Sequence, residues 1–408
     1  MKIKAGSLSY ALFLALIISL LCFLMIGLLH LNRIAFLRSD LSFRVEDALY
    51  TGISESRALF KGSRIITNYQ DETFKLTQMH RNWGAFEMAS CLVEAKDRRL
   101  GRAVILAHEA IDSIRALYHP DENNSLGMSG EAQIIGDAYL SSKGLETKFI
   151  NGKGILSSKM LQGNKREAGK SLPQLPFDYV KYWRAYLEGQ INSVDSLSKN
   201  AFSETIRHPF WKKTIVYSTS NSLKLQGVKW KGNIIVVSNE EIEISADCDL
   251  KDLILIAPVI KVNSGARISA HLFAVNSIEI GDSVHLNYPS SISLINRKGE
   301  AGQIELKPNS RVNGAIVHTV DLRSRSNDVH LWIQSKALVI GTVYNSGNMQ
   351  LQGTVLGQVF SRYFLVKTET AIYEDVILDG QINRKDHPGP LLFLPINAKS
   401  KQRIAKFL

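Results

Sequence analysis

Apolar and polar residues alternate with a six-residue period through the middle of the chain. Cut into sixes from Glu241, the sequence is EIEISA, DCDLKD, LILIAP, VIKVNS, GARISA, HLFAVN, SIEIGD and SVHLNY. The second and fourth residues of every block are apolar, from Ile242 and Ile244 to Val284 and Leu286. Two apolar residues separated by one predict a short strand with two inward side chains. Small or turn-forming residues at the block ends predict a corner after each strand.

Short strands joined at a constant register predict a triangular parallel β-helix with three strands and eighteen residues in each coil. We expect its main part over residues 225–385. The first coils are expected over 125–160, because SLGMSG, EAQIIG and DAYLSS keep the same period. Between them, apolar residues at helical spacing, such as Tyr179 and Trp183, predict a helical insertion over 173–211. Residues 386–408 are expected to form a C-terminal tail.

One outer side of the predicted coils is apolar, whereas the other sides carry charged residues. A stripe of this size must be covered, either by helices of the same chain or by another protein or a second copy. We therefore consider it a possible interaction stripe, formed by Ile235, Val237, Leu253, Leu255 and Phe273.

The N-terminal part of the chain predicts a transmembrane helix. Residues 8–29 contain no charged side chain and are long enough to cross ~30 Å of hydrocarbon as a helix. We expect a leader over 1–6, a transmembrane helix over 7–31, and contact with membrane lipid through 8–29. Apolar residues then recur at helical spacing, first from Leu37 to Leu49 and again up to Tyr118, which predicts a helical stalk or packing region over 32–120.

Composition adds little evidence for chemistry. The net charge of +11 is spread along the 408 residues, which is typical of a solvated surface, and no nucleic-acid partner is expected. Cys22 lies in the predicted span, Cys248 at a core position and Cys91 alone, so neither disulfides nor a metal site is expected. His271 and His285 occupy outward positions without an acidic partner nearby in sequence. We predict no catalytic residue, metal or cofactor, and no enzyme activity.

Two parts of the sequence resemble known families. The hexads over about 225–360 resemble bactofilins, bacterial polymer-forming proteins, and this resemblance implies a right-handed triangular β-helix. The leader MKIKAG and the apolar helix after it resemble the N-terminus of type IV prepilins, which implies cleavage after Gly6. Those pilins carry glutamate at the fifth mature position, where this chain has Ala11. The hexapeptide acyltransferases use a similar repeat in a left-handed coil, with a histidine as general base.

Our leading hypothesis is a single-span protein of the bacterial inner membrane with an extracytoplasmic β-helix. The β-helix would act as a structural or assembly element, as in a pilin-like or secretion-apparatus subunit, with protein partners or copies of itself. The alternative is a membrane-tethered β-helix enzyme or glycan-binding protein.

Overall fold

The structure is a computed structural model that describes residues 5–69, 73–95, 98–110, 115–157, 159–175, 177–187, 195–196, 204–296, 302–320, 326–386, 392–393 and 400–408. The fold is mainly β, with a long apolar helix at the N-terminus and a large sheet whose strands pair almost entirely in parallel. The chain divides into two compact units. The first contains residues 1–59, 64–79 and 91–101, and the second contains residues 60–63, 80–90 and 102–408.

The first unit is built on helix α1 (Ala5–Ala58). Its N-terminal half is exposed and apolar, whereas its C-terminal half buries Val45, Leu49 and Ile53. Gly52 permits close packing at this point, because a Cβ atom there would overlap the sulfur of Cys91. The side-chain amide of Gln78 donates hydrogen bonds to the Gly52 carbonyl at 3.1 Å and to Glu55 at 2.7 Å.

Antiparallel strands follow α1, where the sequence pattern predicted helix. They are β1 (Arg64–Tyr69), β2 (Phe74–Trp83), β3 (Phe86–Ala95) and β4 (Arg98–Ala110). The prediction of a helical region is therefore wrong beyond Ala58. Most of β3 and the central part of β4 are buried through consecutive residues. Strands buried on both faces form continuous apolar runs, and periodicity alone does not separate such runs from a buried helix.

The second unit contains a parallel β-helix. Its described residues form a first group of seven strands, then helix α2 (Phe177–Leu187), and then a second group of twenty strands. The first group is β5 (Arg115–Tyr118), β6 (Leu126–Ser129), β7 (Gln133–Ile135), β8 (Asp137–Leu140), β9 (Leu145–Thr147), β10 (Leu161–Gln162) and β11 (Lys165–Glu167). The second group is β12 (Asp195–Ser196), β13 (Thr205–His208), β14 (Ile215–Thr219), β15 (Leu223–Leu225), β16 (Lys229–Gly232), β17 (Ile234–Ser238), β18 (Glu241–Ile244), β19 (Asp249–Ile256), β20 (Val259–Val262), β21 (Arg267–Ala274), β22 (Ser277–Ile280), β23 (His285–Ile295), β24 (Gln303–Leu306), β25 (Arg311–Thr319), β26 (Leu331–Ile333), β27 (Leu338–Leu351), β28 (Thr354–Lys367), β29 (Ile372–Glu374), β30 (Val376–Leu378) and β31 (Gln381–Asn383).

The regular coils have the predicted spacing. Glu241 lies opposite Val259, and Val259 lies opposite Ser277, so each partner is 18 residues further along the chain. The inward residues of successive coils, such as Ile242, Ile260 and Ile278, form one continuous hydrophobic core. Coils begin earlier than predicted, since β13 and β14 already pair in parallel with β16 and β17. The insertion is therefore shorter than 173–211, and residues 188–194 of the predicted insertion lie outside the described residues.

The order of the coils along the axis differs from their order in the sequence. The last coil pairs in parallel with the first, because Gln381 lies opposite Gln133 and Val376 lies opposite Gly127. The first strand group therefore forms one end of the β-helix. The second group begins at the opposite end, and its last coil lies against the first strand group.

The chain ends in two strands that return to the antiparallel sheet, β32 (Leu392–Phe393) and β33 (Ser400–Phe407). Strand β33 pairs with β4 from Ala110 to Val104. The whole β-helix is therefore an insertion between two neighbouring strands of that sheet, and the predicted C-terminal tail ends as one of its strands.

Candidate functional site

The predicted interaction stripe is buried in the folded chain. Ile235, Val237 and Phe273 point outward, but none is more than 7% exposed. Leu253 and Leu255 instead lie in the interior core, and their neighbours Ile254 and Ile256 point outward. The two leucines were therefore placed on the wrong face, and none of the stripe residues is available to a partner.

A β-bulge causes the error at Leu253 and Leu255. The register shifts between Lys251 and Leu253, where Asp252 adopts a left-handed backbone with φ of 64°. Ile254 lies opposite Ile235, an offset of 19 residues, and opposite His271, an offset of 17 residues. One extra residue in a strand moves every following side chain to the other face.

Elements of the same chain cover the outward stripe. We call this side of the β-helix the covered side; it consists of β14, β17 and the C-terminal parts of β19, β21, β23 and β25. Trp83, Phe86 and Ile105 from the antiparallel strands pack in one cluster with its apolar residues. From α2, the ring of Trp183 stacks on Phe273 at 3.8 Å between centroids. The Tyr179 hydroxyl lies 2.8 Å from that of Ser293, and burial raises the pKa of Tyr179.

Asp252 links the bulge to the C-terminal strand. Its side chain is 2% exposed and accepts a charged hydrogen bond from Lys406 of β33 at 2.6 Å. Its backbone carbonyl accepts a hydrogen bond from the indole of Trp83 at 3.1 Å. The bulge therefore provides a docking point for two strands of the antiparallel sheet.

His271 is buried and therefore cannot act as a general base at the protein surface. Its Nδ1 lies 2.9 Å from the Ser291 hydroxyl, and a Cβ atom at Gly84 would overlap its ring. Burial, with a smaller effect from the positive charge of Lys406, lowers the pKa of His271 to about 3. His285 lies on another side, opposite Arg267 and Arg311.

A second buried polar cluster surrounds Glu87, and sequence reasoning missed it. Glu87 is paired with His80 at 3.3 Å, with His108 at 3.2 Å and with Lys61. Burial alone would raise the pKa of Glu87, but hydrogen bonds from His108, His80 and Lys61 outweigh it and hold that pKa far below its usual range. The carboxylate therefore stays ionised and serves as a structural anchor. Among the described residues, no group of three His, Cys, Asp or Glu side chains is arranged to hold a metal ion.

The open side of the β-helix, formed by β15, β18, β20, β22, β24 and β26, carries alternating charges. Lys261 pairs with Glu241 at 2.9 Å and Lys224 with Glu243 at 3.4 Å, while Lys307 pairs with Glu279. Solvent-exposed pairs of this kind contribute little to stability individually. The alternation of Lys and Glu on successive coils does, however, avoid the repulsion that side chains of the same charge would have if they faced each other on neighbouring strands.

The remaining side carries a concave site that we call the basic cleft, defined by Arg207, Trp211, Lys229, Lys231 and Lys251. These residues line a cavity of about 460 Å³ next to the first coils of the second strand group. In parallel register, Arg207 lies opposite Lys231, and Lys231 lies opposite Lys251. Adjacent strands lie about 4.8 Å apart, so the three cations form a row with that spacing. The volume lies within the range of about 300–1,000 Å³ usual for ligand sites.

The loop between β13 and β14 forms one wall of the basic cleft, and contacts with neighbouring strands anchor this loop. Phe210 is buried edge-on against Trp83 at 5.0 Å between centroids. Arg81 donates hydrogen bonds to Thr214 at 2.7 Å and to Asn233 at 2.8 Å, and Asn233 donates to the Lys212 carbonyl at 2.8 Å. This anchoring fixes Trp211, which follows Phe210, at the edge of the cleft. The alternation Lys-Trp-Lys at 229–231 was visible in the sequence as a strand with outward cations.

Helix α1 supplies the largest exposed apolar surface of the described residues. Leu16, Phe23 and Leu29 are each more than 60% exposed, although all are large hydrophobic side chains. The helix is long and apolar enough to cross a membrane. Cys22 is exposed on this segment, whereas Cys91 and Cys248 are buried. The predicted leader 1–6 falls mostly outside the described residues, which begin at Ala5.

Comparisons with known proteins give no assignment to a family. No family model and no curated protein matches the chain. Among solved structures, the competence-associated pilin ComZ from Thermus thermophilus matches with 9% sequence identity and a TM-score of 0.22. The match covers 85% of this chain and 86% of that one. A similarity this low supports no inference about the present chain.

Proposed function

We propose that the protein is a single-span structural subunit of the bacterial envelope, pilin-like in its use of α1. The observation that carries this proposal is the contrast within α1. Its N-terminal half is apolar and exposed over enough residues to span a bilayer, whereas its C-terminal half packs through Val45, Leu49 and Ile53. Such a helix anchors the chain in the inner membrane, and the β-helix lies outside the cytoplasm.

Assembly proceeds through α1 of neighbouring copies. An exposed apolar helix must be buried in lipid or against another apolar surface, and a second copy offers the same surface. The β-helix then acts as a rigid body carried by each subunit, since its coils share one continuous core. Because the β-helix is inserted between β4 and β33, both ends of its segment of the chain lead directly into strands of the antiparallel sheet.

Growth of a filament by end-to-end stacking of coils, as the bactofilin resemblance implies, is opposed by the charges at one end of the β-helix. At the end formed by the first strand group, β11 presents Lys165, Arg166 and Glu167, and all three are exposed. Charged residues on an edge strand oppose pairing with another chain. We therefore propose association through α1 in preference to association through the coil ends.

Native Cys22 provides a direct test of both anchoring and assembly. The full chain is expressed in a Gram-negative host, and membranes are washed with alkaline carbonate and then treated with a mild oxidant. We expect the protein to stay in the membrane and to form a disulfide-linked dimer through Cys22 or through single cysteines introduced at Leu21, Phe23 or Leu24. These four positions sample one helical turn, so one of them faces the neighbouring helix.

Each cysteine variant is made in a Cys22→Ser background, which itself serves as the control and should give no dimer. Release of the protein by carbonate would contradict the membrane anchor. Retention in the membrane without a dimer at any of the four positions would contradict assembly through α1. An enzyme or binding protein tethered by α1 would then be the better explanation.

A further inference from the structure

The basic cleft is a built site that the assembly function of α1 leaves unused. We propose that it binds a linear acidic polysaccharide, with sugar carboxylates on the row of cations and a sugar ring on Trp211. This inference stands on the cleft alone and does not depend on assembly through α1.

The charges of the basic cleft favour an anionic ligand. Arg207, Lys229 and Lys231 are exposed, and among the described residues no ion pair involves any of them. Lys251 is partly neutralised by Asp249 at 2.9 Å. Three cations without acidic partners therefore face one cavity, and each gains by pairing with a carboxylate from a ligand.

The spacing of the cations favours a polymer. Arg207, Lys231 and Lys251 follow the parallel register of three neighbouring strands, about 4.8 Å apart. A pyranose ring within a chain has a similar length, so a run of acidic sugars matches one charged group to each strand. The row ends at Lys251, because the next strand places Ser269 opposite Lys251.

Trp211 adds a contact surface for a ring of the ligand. Trp211 offers an indole ring at the cleft wall, next to Phe210, which packs on Trp83. Aromatic rings provide a large contact area with little loss of conformational entropy. Asp249 also lines the cleft and forms an ion pair with Lys251 at 2.9 Å, so we place the ligand carboxylates mainly on Arg207, Lys229 and Lys231.

The test uses the full-length chain in detergent and fluorescently labelled polygalacturonate as the probe. We expect saturable binding that weakens as salt rises, with no binding to neutral dextran of the same length. The double variant Lys229→Gln/Lys231→Gln should weaken binding by about tenfold or more, because two charge-assisted contacts are lost. Trp211→Ala should weaken it by about fivefold or more.

A matched control separates the cleft from net charge. Lys159→Gln/Lys170→Gln removes two exposed lysines at the other end of the β-helix and should change affinity by less than about twofold. Thermal unfolding of every variant verifies that the fold is retained. Equal weakening by the control pair, or no binding by the unaltered chain, would overturn the proposal. Tighter binding of single-stranded oligothymidylate that is lost in Lys229→Gln/Lys231→Gln would assign the cleft to nucleic acid instead.

Discussion

The covered side and the open side of the β-helix have the same interior and opposite exteriors. Inward residues such as Leu272 on the covered side and Ile260 on the open side belong to one hydrophobic core. Outward residues differ completely, since Phe273 is fully buried under Trp183 whereas Lys261 is exposed and paired with Glu241. The interior thus defines the coil, and the exterior row of each side determines what that side contacts.

The largest effect should come from exchanging the outward residues of the two sides. Phe273→Lys places an ammonium group beneath the indole of Trp183 and removes the stacked ring. Losing a buried aromatic side chain and burying an unpaired charge should each cost several kcal/mol, together more than about 5 kcal/mol. Since domains are typically stable by about 5–15 kcal/mol, we expect loss of cooperative thermal unfolding.

The reciprocal change, Lys261→Phe, is the matched control on the open side. It removes one exposed ion pair and leaves the interior unchanged, so the thermal midpoint should stay close to that of the unaltered chain. Circular dichroism during heating measures both variants. A comparable loss from the two substitutions would mean that the exteriors of the two sides are not energetically different.

The interior of the coils was predictable from the sequence, because the constraint is local and repeated. All inward hexad positions from Ile242 to Leu286 lie in the core except Ile254 and Ile256. Cys248 is a buried core residue, as predicted. The exceptions follow the bulge at Asp252, and one non-glycine residue with positive φ gives no pattern that a periodicity search detects.

Features that depend on distant parts of the chain were not predictable in this way. The pairing of Gln381 with Gln133 involves residues far apart in sequence, and no local pattern specifies which coils meet. The strands β3 and β4 resembled helix because they are buried on both faces. Two lysines of the basic cleft could have been recognised, since Lys229 and Lys231 hold outward positions in the predicted register, whereas Lys251 falls at a predicted corner and lies opposite Lys231 at an offset of 20 residues.

A smaller effect should come from breaking the ion pair between Lys406 of β33 and Asp252 at the bulge. Lys406→Met leaves the buried carboxylate of Asp252 without its cation. Because the Lys406 side chain is 32% exposed, we discount the cost of breaking a buried pair to about 2 kcal/mol. Urea unfolding of Lys406→Met, Asp252→Asn and the double variant measures the coupling. The double variant should recover part of the loss, and strict additivity would contradict a direct interaction.

The effect that is smallest at neutral pH, and that grows only in acid, is the pH dependence that His271 gives to the covered side. Burial, and then the charge of Lys406, lowers the pKa of His271 from 6.5 to about 3. The unfolded chain therefore binds a proton at this residue between those values, and the folded chain does not. Above pH 6.5 the histidine is neutral in both states and does not affect the free energy of unfolding. As pH falls from 6.5 towards 3, that free energy decreases by up to about 1.4 kcal/mol for each pH unit.

His271→Gln removes this titration while keeping a polar side chain opposite Ser291. Its unfolding free energy should fall less steeply between pH 6.5 and 4 than that of the unaltered chain, although carboxylates add the same acid dependence to both proteins. His285→Gln is the control, because His285 lies on another side between Arg267 and Arg311. Parallel pH profiles for the unaltered chain and His271→Gln would contradict a neutral buried histidine, and with it the tight cover over this side of the β-helix.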